Sequence, residues 1–289
     1  MITHPDLYWD EAGQSCLRGN LADYFAGLEA GFLKLAADNG CKTVYPASLL
    51  PAATLGKLDY LHSFPQHATF ACCLEQSRDN LDAFCEQETV TGDSINLTQT
   101  EPVHALLLPA ACYSVYPTLA SQPVGSGPQL LTVQSRCFRR ETHYQPLERQ
   151  WNFSMRELVC AGSEEQVRGF LEQLQQQLSD ICAALALPVD FAAATDPFFN
   201  PEKNPQYIMQ RVSPSKTEVV YGGDLAIASL NFHRQYFGEA FDLHHGDEHC
   251  HTACVAFGLE RWLAALLREH GDDISSWPSL ATAFPGGVQ

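Results

Sequence analysis

Two parts of the chain carry side chains whose types and spacing could do chemistry. The first is HHGDEHCHTAC, residues 244–254, which packs four histidines, two cysteines, an aspartate and a glutamate into eleven positions. Imidazole, thiolate and carboxylate are the usual ligands of transition metals, so the stretch invites a metal site. The second part is three separated pieces: CFRRE at 137–141, Phe153, and FGLER at 257–261. A guanidinium can hold a phosphate through two parallel hydrogen bonds, and an aromatic ring can stack on a purine. Taken one at a time, these are also an ordinary surface Arg and an ordinary core Phe.

The elements around these pieces decide whether they can meet. Residues 129–138 read as a strand, RRETHYQPLERQ at 139–150 as a polar loop, and WNFSMRELVCAG at 151–162 as an alternating strand. That order makes a long hairpin, with Arg139 and Phe153 near each other across the pair. In the last helix, about 258–270, Leu259, Trp262, Leu263, Leu266 and Leu267 form one apolar face. Gly258 permits a close backbone approach at its start. Arg261 lies in the first turn, where the helix dipole favours anions, although the same spacing also allows it to face solvent. The run HHGDEHCH falls in a loop before the last strand.

Elsewhere, residues 21–37 set Leu21, Phe25, Leu28, Phe32 and Leu35 on one helical face, with Gly40 as a stop. Residues 41–75 are broken by prolines and end in strand-like alternation, and 103–116 read as a strand. SEEQ at 163–166 is a capping-box pattern. It opens a helix whose stripe is Val167, Phe170, Leu171, Leu174, Leu178 and Ile181. Residues 194–216 form a Pro-rich insertion with a short helix near the middle, and strands return at 217–221 and 225–233. The expectation is an α+β fold: a mostly antiparallel sheet with helices packed on one face.

Composition narrows the function classes. Asp and Glu number 34 against 17 Lys and Arg, for a formal net charge of −17. Such a surface repels nucleic acid and anionic membranes, because affinity for phosphate backbones and acidic lipids comes from Lys and Arg. With 45% hydrophobic residues the chain can build a sizeable core. The first twenty residues lack the apolar core of a signal peptide, and no run is long enough to span a membrane. Eleven scattered cysteines do not make a disulfide framework, so the expectation is reduced thiols and a cytoplasmic protein.

In order and spacing, FRRE in a hairpin, Phe153 on its return strand and GLER opening a C-terminal helix resemble motifs 2 and 3 of class II aminoacyl-tRNA synthetases. VYPASLLPAATLGKLDYLHSFPQH, 44–67, resembles the Pro-bearing motif 1 region that builds the dimer interface in that class. A narrower resemblance rests on LPAACYSVYP, CFRRE, FSMRELVCAG, TDPFF, SLNFHRQYFG and HTACVAFGLERW. These look like the amino acid:[carrier protein] ligases, truncated relatives of the atypical zinc-dependent seryl-tRNA synthetases. The resemblance covers roughly residues 40 to 280, and the family lacks the tRNA-binding N-terminal domain.

The resemblance implies a single catalytic domain over 1–289, acting as a homodimer without tRNA. It implies ATP-dependent activation of a small α-amino acid (glycine, alanine or serine) as aminoacyl-AMP. A carrier protein's phosphopantetheine thiol would then take the aminoacyl group. Arg139 would hold the α-phosphate, Glu141 would orient the adenine end or the loop, Phe153 would stack on adenine, Arg149 would reach the γ-phosphate, and Arg261 would cover ATP from the other side. Zn²⁺ would be held by Cys112, Glu157 and Cys254, with one tetrahedral position open for the substrate's amino group. His244, His245, His249, Cys250 and His251 match none of the family's ligand positions and read as a solvated loop. The related synthetases carry an acidic Mg²⁺ ligand before the strand leading to NF. YGGDLAIASLNF has no Glu there, and Glu218 and Asp224 are the nearby candidates.

The family docks its acidic carrier through an extra helix, and 196–216 occupies the matching place. Lys203, Arg211 and Lys216 give that segment a locally basic character, suited to steering a carrier. Its bland alternative is a Pro-rich surface loop. Two other functions compete: a synthetase-like enzyme acylating tRNA or a small-molecule amine, and a catalytically silent synthetase-like subunit.

Overall fold

The computed structural model describes residues 2–120 and 127–286. Its centre is a seven-stranded sheet. The strands are β1 (Lys42–Val44), β2 (Gln129–Phe138), β3 (Asn152–Gly162), β4 (Val189–Ala193), β5 (Lys216–Tyr221), β6 (Leu225–Arg234) and β7 (His251–Gly258). They lie in the order β4-β5-β6-β7-β3-β2-β1. Every neighbouring pair is antiparallel except β1 with β2, which is parallel. The expected mostly antiparallel α+β architecture is observed.

Five helices matter for the argument: α1 (Gly19–Asp38), α2 (Glu164–Ala184), α3 (Pro205–Val212), α4 (Tyr236–Phe241) and α5 (Leu259–His270). The capping box forms at the start of α2. Ser163 Oγ accepts the Gln166 N–H at 3.2 Å, and Gln166 Oε1 accepts the Ser163 N–H at 3.0 Å. Helices α1, α2 and α5 contribute their apolar stripes to one core. Phe32 of α1 is its hub, stacked on Phe257 at 4.3 Å between ring centroids and edge-on to Trp262 at 5.0 Å. Phe25 and Leu171 are only partly buried at the margin of this core.

Strand alternation sorts the side chains between the two faces. Leu158 and Cys160 of β3, with Ala253, Val255 and Phe257 of β7, pack into the core of α1, α2 and α5. Met155, Val159 and Ala161, with Cys254 and Ala256, belong to a second core on the opposite face. Glu157 shares the parity of Met155 and Val159, so it too points to that second face.

Residues 103–116 differ from expectation. Only Ala105–Leu107 is a strand, pairing with Leu49–Pro51 and Phe70–Ala71 in a small sheet. A 3-10 turn, Ala111–Ser114, and a helical turn, Tyr116–Leu119, follow. The reason is partly local and partly tertiary. Pro109 has no N–H for a ladder, and the next useful donor, the Ala111 N–H, is taken by the Glu157 carboxylate at 2.8 Å.

Candidate active site

A cavity of about 1030 Å³ opens on the second face of the sheet and unites most of the candidate residues. Arg139, Glu141, Arg149, Phe153 and Arg261 line one part of it, and Cys112, Glu157 and Cys254 another.

The guanidinium end is built by the β2–β3 hairpin and the start of α5. Phe153 pairs with Cys137 in the ladder, and the Arg139 N–H donates to Trp151 O at 2.9 Å. This register brings the Arg139 guanidinium to 5.4 Å from the Phe153 ring centroid, as expected of a strand–loop–strand hairpin. Arg139 Nε donates to Pro109 O at 2.8 Å, and Arg261 donates to Glu148 O at 2.8 Å and Ala226 O at 3.0 Å. Among the described residues, neither of these two arginines pairs with a carboxylate. Arg149 pairs with Glu141 at 3.0 Å. Burial, then the charges of Arg139 and Arg149, pull Arg261 below the ordinary guanidinium range. Cations gathered against their own repulsion in a recessed space favour a polyanion.

Gly258 has φ −84°, and a Cβ there would meet nothing nearer than 3.8 Å. The expected close approach is therefore not made by the protein itself. Gly258 lines the cavity instead.

The thiol end is assembled from three distant segments. Val159 pairs with Cys254 and Glu157 with Ala256, so Glu157 and Cys254 are diagonal neighbours on one face. Cys112 arrives on the 3-10 turn. The ligand atoms of Cys112, Glu157 and Cys254 all lie within 4.8 Å of one another, and all three residues are buried. Glu157 Oε1 has the Ala111 N–H, but among the described residues no N–H or O–H donor reaches the buried Oε2, and the carboxylate has only the two thiols beside it. Hydrogen bonding with Cys254, burial and the Glu157 charge hold the Cys112 thiol well above its ordinary range. Cys254 is raised as well, since burial and Glu157 outweigh its hydrogen bond with Cys112. Three potential anions thus oppose one another at the buried end of the cavity. Two thiolates and a carboxylate are a fitting donor set for Zn²⁺, which would satisfy the orphaned oxygen and let both thiols ionise.

Sequence reasoning missed the polar groups around this cluster. His233 sits half-buried beside it, with Nε2 3.7 Å from Cys254 Sγ and Nδ1 3.2 Å from the Tyr116 hydroxyl. Burial pulls His233 down to about 4, so the ring is neutral. Asn231 Nδ2 lies 3.4 Å from the same sulfur. The available signal was the period of two in SLNFHR, which puts Ser229, Asn231 and His233 on the face of β6 that lines the cavity. Lys216, read as part of a basic docking face, turns inward instead. It pairs with Asp196 at 2.9 Å and Glu218 at 3.0 Å, because a buried ammonium needs partners.

The remaining candidates separate from the cavity or arrive there already paired. Glu218 and Asp224 both line it, but Lys216 neutralises the first and Arg268 the second, at 3.0 Å each. Lys203 and Arg211 are exposed, outside the cavity lining, on the expected short helix α3 and the turn before it. His244–His245 and Glu248–His249 form a small exposed hairpin rather than a plain loop, also outside the cavity.

Residues 104–270 match the tRNA synthetase class II core domain (G, H, P, S and T). Amino acid–[acyl-carrier-protein] ligase 1 of Bradyrhizobium diazoefficiens is 34% identical over 238 residues, covering 80% of this chain and 72% of that one. A type-2 serine–tRNA ligase of Methanopyrus kandleri is 23% identical, covering 80% of this chain but 48% of its own length. The M. kandleri seryl-tRNA synthetase, solved in complex with A. aeolicus tRNASec, superposes with a TM-score of 0.80 at 21% identity, covering 98% of this chain and 59% of that one. The fold is thus that of a class II synthetase core, and the chain belongs to the amino acid–[acyl-carrier-protein] ligase family.

Proposed function

We infer that this protein is an AMP-forming ligase that activates an amino acid with ATP and transfers it to a carrier protein. The single observation that supports it most is the joining, in one cavity, of a guanidinium end and a buried Cys–Glu–Cys end. In the first step a carboxylate oxygen of the amino acid attacks the α-phosphorus, and pyrophosphate leaves. Arg139 neutralises the charge that develops there, Arg149 reaches the outer phosphate, and Phe153 and Arg261 cover the adenine from two sides. Glu141 holds Arg149 in place. The protein's contribution is positioning and electrostatic stabilisation. In the second step a phosphopantetheine thiolate attacks the acyl carbon and AMP leaves.

Cys112, Glu157 and Cys254 would hold a zinc ion, which supplies an open Lewis-acid position for the substrate's amine. ATP brings Mg²⁺. Glu218 and Asp224 are already neutralised by lysine and arginine, so neither is a ready ligand for it. The substrate is a small α-amino acid: glycine, alanine or serine.

The acceptor reading rests on α3. Lys203 on the turn before it and Arg211 on it are both exposed, as are Ile208, Met209 and Val212 of the helix. A basic edge around an apolar patch suits an acidic carrier. We assign the chain one catalytic domain, the cytoplasm, and a homodimer, the last supported by exposed Tyr45, Leu49 and Phe70 around the small sheet. Amino-acid-dependent ATP–pyrophosphate exchange tests the first step. Labelling of a carrier protein rather than tRNA tests the second, and labelled tRNA would overturn the acceptor assignment. Reversing Lys203 and Arg211 to Glu leaves exchange unchanged and slows transfer to the carrier, most at low salt. Unaltered transfer moves the docking surface elsewhere.

A further inference from the structure

A second group of ligating side chains converges outside the cavity lining. Helix α4 ends at Phe241, and Asp242 follows in the left-handed region at φ 55°. The Leu243 N–H returns to Gly238 O at 2.8 Å, which closes the helix and sends the chain into the His244–His249 hairpin. Gly246, at φ 65°, makes the turn. In this hairpin His244 and His249 are direct cross-strand partners. Their rings sit 4.5 Å apart on the same face, as cross-strand geometry requires.

Both rings direct Nε2 at one oxygen, Asp242 Oδ1, at 2.8 Å from His244 and 3.5 Å from His249. All three ligand atoms lie within 4.8 Å of one another. The base of the hairpin is anchored. The Cys250 N–H donates to Leu243 O at 2.8 Å, Gln235 Nε2 donates to His249 O at 3.0 Å, and Cys250 itself is fully buried. The arrangement is therefore held by backbone structure rather than by free side chains.

We propose that Asp242, His244 and His249 form a surface site for a first-row divalent transition cation, separate from Cys112, Glu157 and Cys254. Two imidazoles and one carboxylate suit Zn²⁺, Ni²⁺ or Co²⁺ and do not suit Mg²⁺ or Ca²⁺, which take oxygen ligands. The ligands are exposed, so water completes the coordination and the ion exchanges readily. The net charge of −17 raises the local cation concentration. An ion here ties the C-terminal end of α4 to the hairpin. Phe237 of α4 stacks on Tyr116 at 3.9 Å, and Tyr116 meets His233 beside Cys254. The surface ion thus braces a helix whose other side forms the cavity wall.

The test uses the full chain without a histidine tag, titrated with Zn²⁺ against chromophoric chelators. The expected result is two equivalents, one held tightly and one released by a weak chelator. His244→Ala, His249→Ala and Asp242→Asn each weaken the second equivalent by at least ~10-fold and leave the first in place. Cys112→Ala removes the first and keeps the second, so failure of one site is distinguishable from failure of the other. The exposed thiols Cys16, Cys72, Cys73 and Cys85 are competing binders. A second equivalent that survives in a His244→Ala, His249→Ala double variant belongs to them and overturns the proposal, as does a wild type without a weak equivalent.

Discussion

The Cys112–Glu157–Cys254 and Asp242–His244–His249 clusters each bring three ligating side chains within 4.8 Å, but by opposite routes. The second is local: one hairpin and one helix end assemble it, and all its members retain solvent. The first draws on a 3-10 turn and two paired strands, and it is buried. Burial is what distinguishes them. Water screens and hydrogen-bonds the exposed carboxylate, so Asp242 needs no ion. Among the described residues, Glu157 keeps a buried oxygen without an N–H or O–H donor, and the two thiols beside it are pushed up. Protonated thiols ease that crowding and a divalent cation would let them ionise, a choice that the folded sheet creates by bringing the three groups together.

The contrast can be broken most directly at the buried ligands. Cys112→Ala, Glu157→Ala and Cys254→Ala should each release tightly bound zinc and lower amino-acid activation by ~10³-fold or more, the loss of several kcal/mol of substrate positioning. Metal analysis with pyrophosphate exchange reads both, and a full complement of tight zinc in any of the three would end the assignment. Next in size are the guanidiniums of the same cavity. Arg139→Ala and Arg261→Ala should each reduce exchange by ~10²-fold, as removal of a charge-stabilising donor does. Phe153→Ala should chiefly raise the ATP concentration needed. Near-normal exchange in Arg139→Ala would refute its phosphate role.

His233 sharpens the comparison, because it shows burial acting on a histidine. It titrates near 4 in the fold against 6.5 for an ordinary imidazole. Between those values the unfolded chain binds a proton that the native chain does not, so stability falls as pH is lowered from 6.5 to 4, by ~3 kcal/mol across the window. Urea denaturation of chelator-treated protein at pH 7 and pH 4.5 should show this loss. His233→Asn, which carries no such proton, should lose less. The same variant should weaken tight zinc by ~10-fold through the lost contact to Cys254. The smallest effect is expected at the exposed cluster. His244→Ala and His249→Ala should leave pyrophosphate exchange within about twofold, as surface substitutions usually do. A large loss there would collapse the distinction between the two clusters.

Much of the frame was legible in the chain. Alternation along 151–162 and the apolar stripe at 259–267 yielded β3 and α5 close to their observed limits, the helix because its stripe reports one buried face and the strand although both its faces are buried. The capping box at Ser163 is equally local and formed as read. The stretch 103–116 misled, since its apolar content says nothing about where the Ala111 N–H will bond. Lys216 misled for a similar reason. As one of three basic residues in a Pro-rich segment it looked like surface, yet Asp196 and Glu218 draw it inside.

Sequence by itself determined the periods, the caps, the acidic surface and the hairpin that joins Arg139 to Phe153, all of them properties of short stretches or of composition. It also marked Cys112, Glu157 and Cys254, though only through likeness to a family, because no spacing connects residues so far apart. Tertiary structure alone decided that β3 and β7 pair with Val159 opposite Cys254. A shift of one residue in that register would send Glu157 or Cys254 to the other face of the sheet. The same pairing decided that the run richest in metal ligands, 244–249, stays at the surface while its quieter continuation enters the cavity. The physical reason is that a ligand's type is carried by the residue, whereas its solvent, neighbours and charge state are set by what the sheet packs against it.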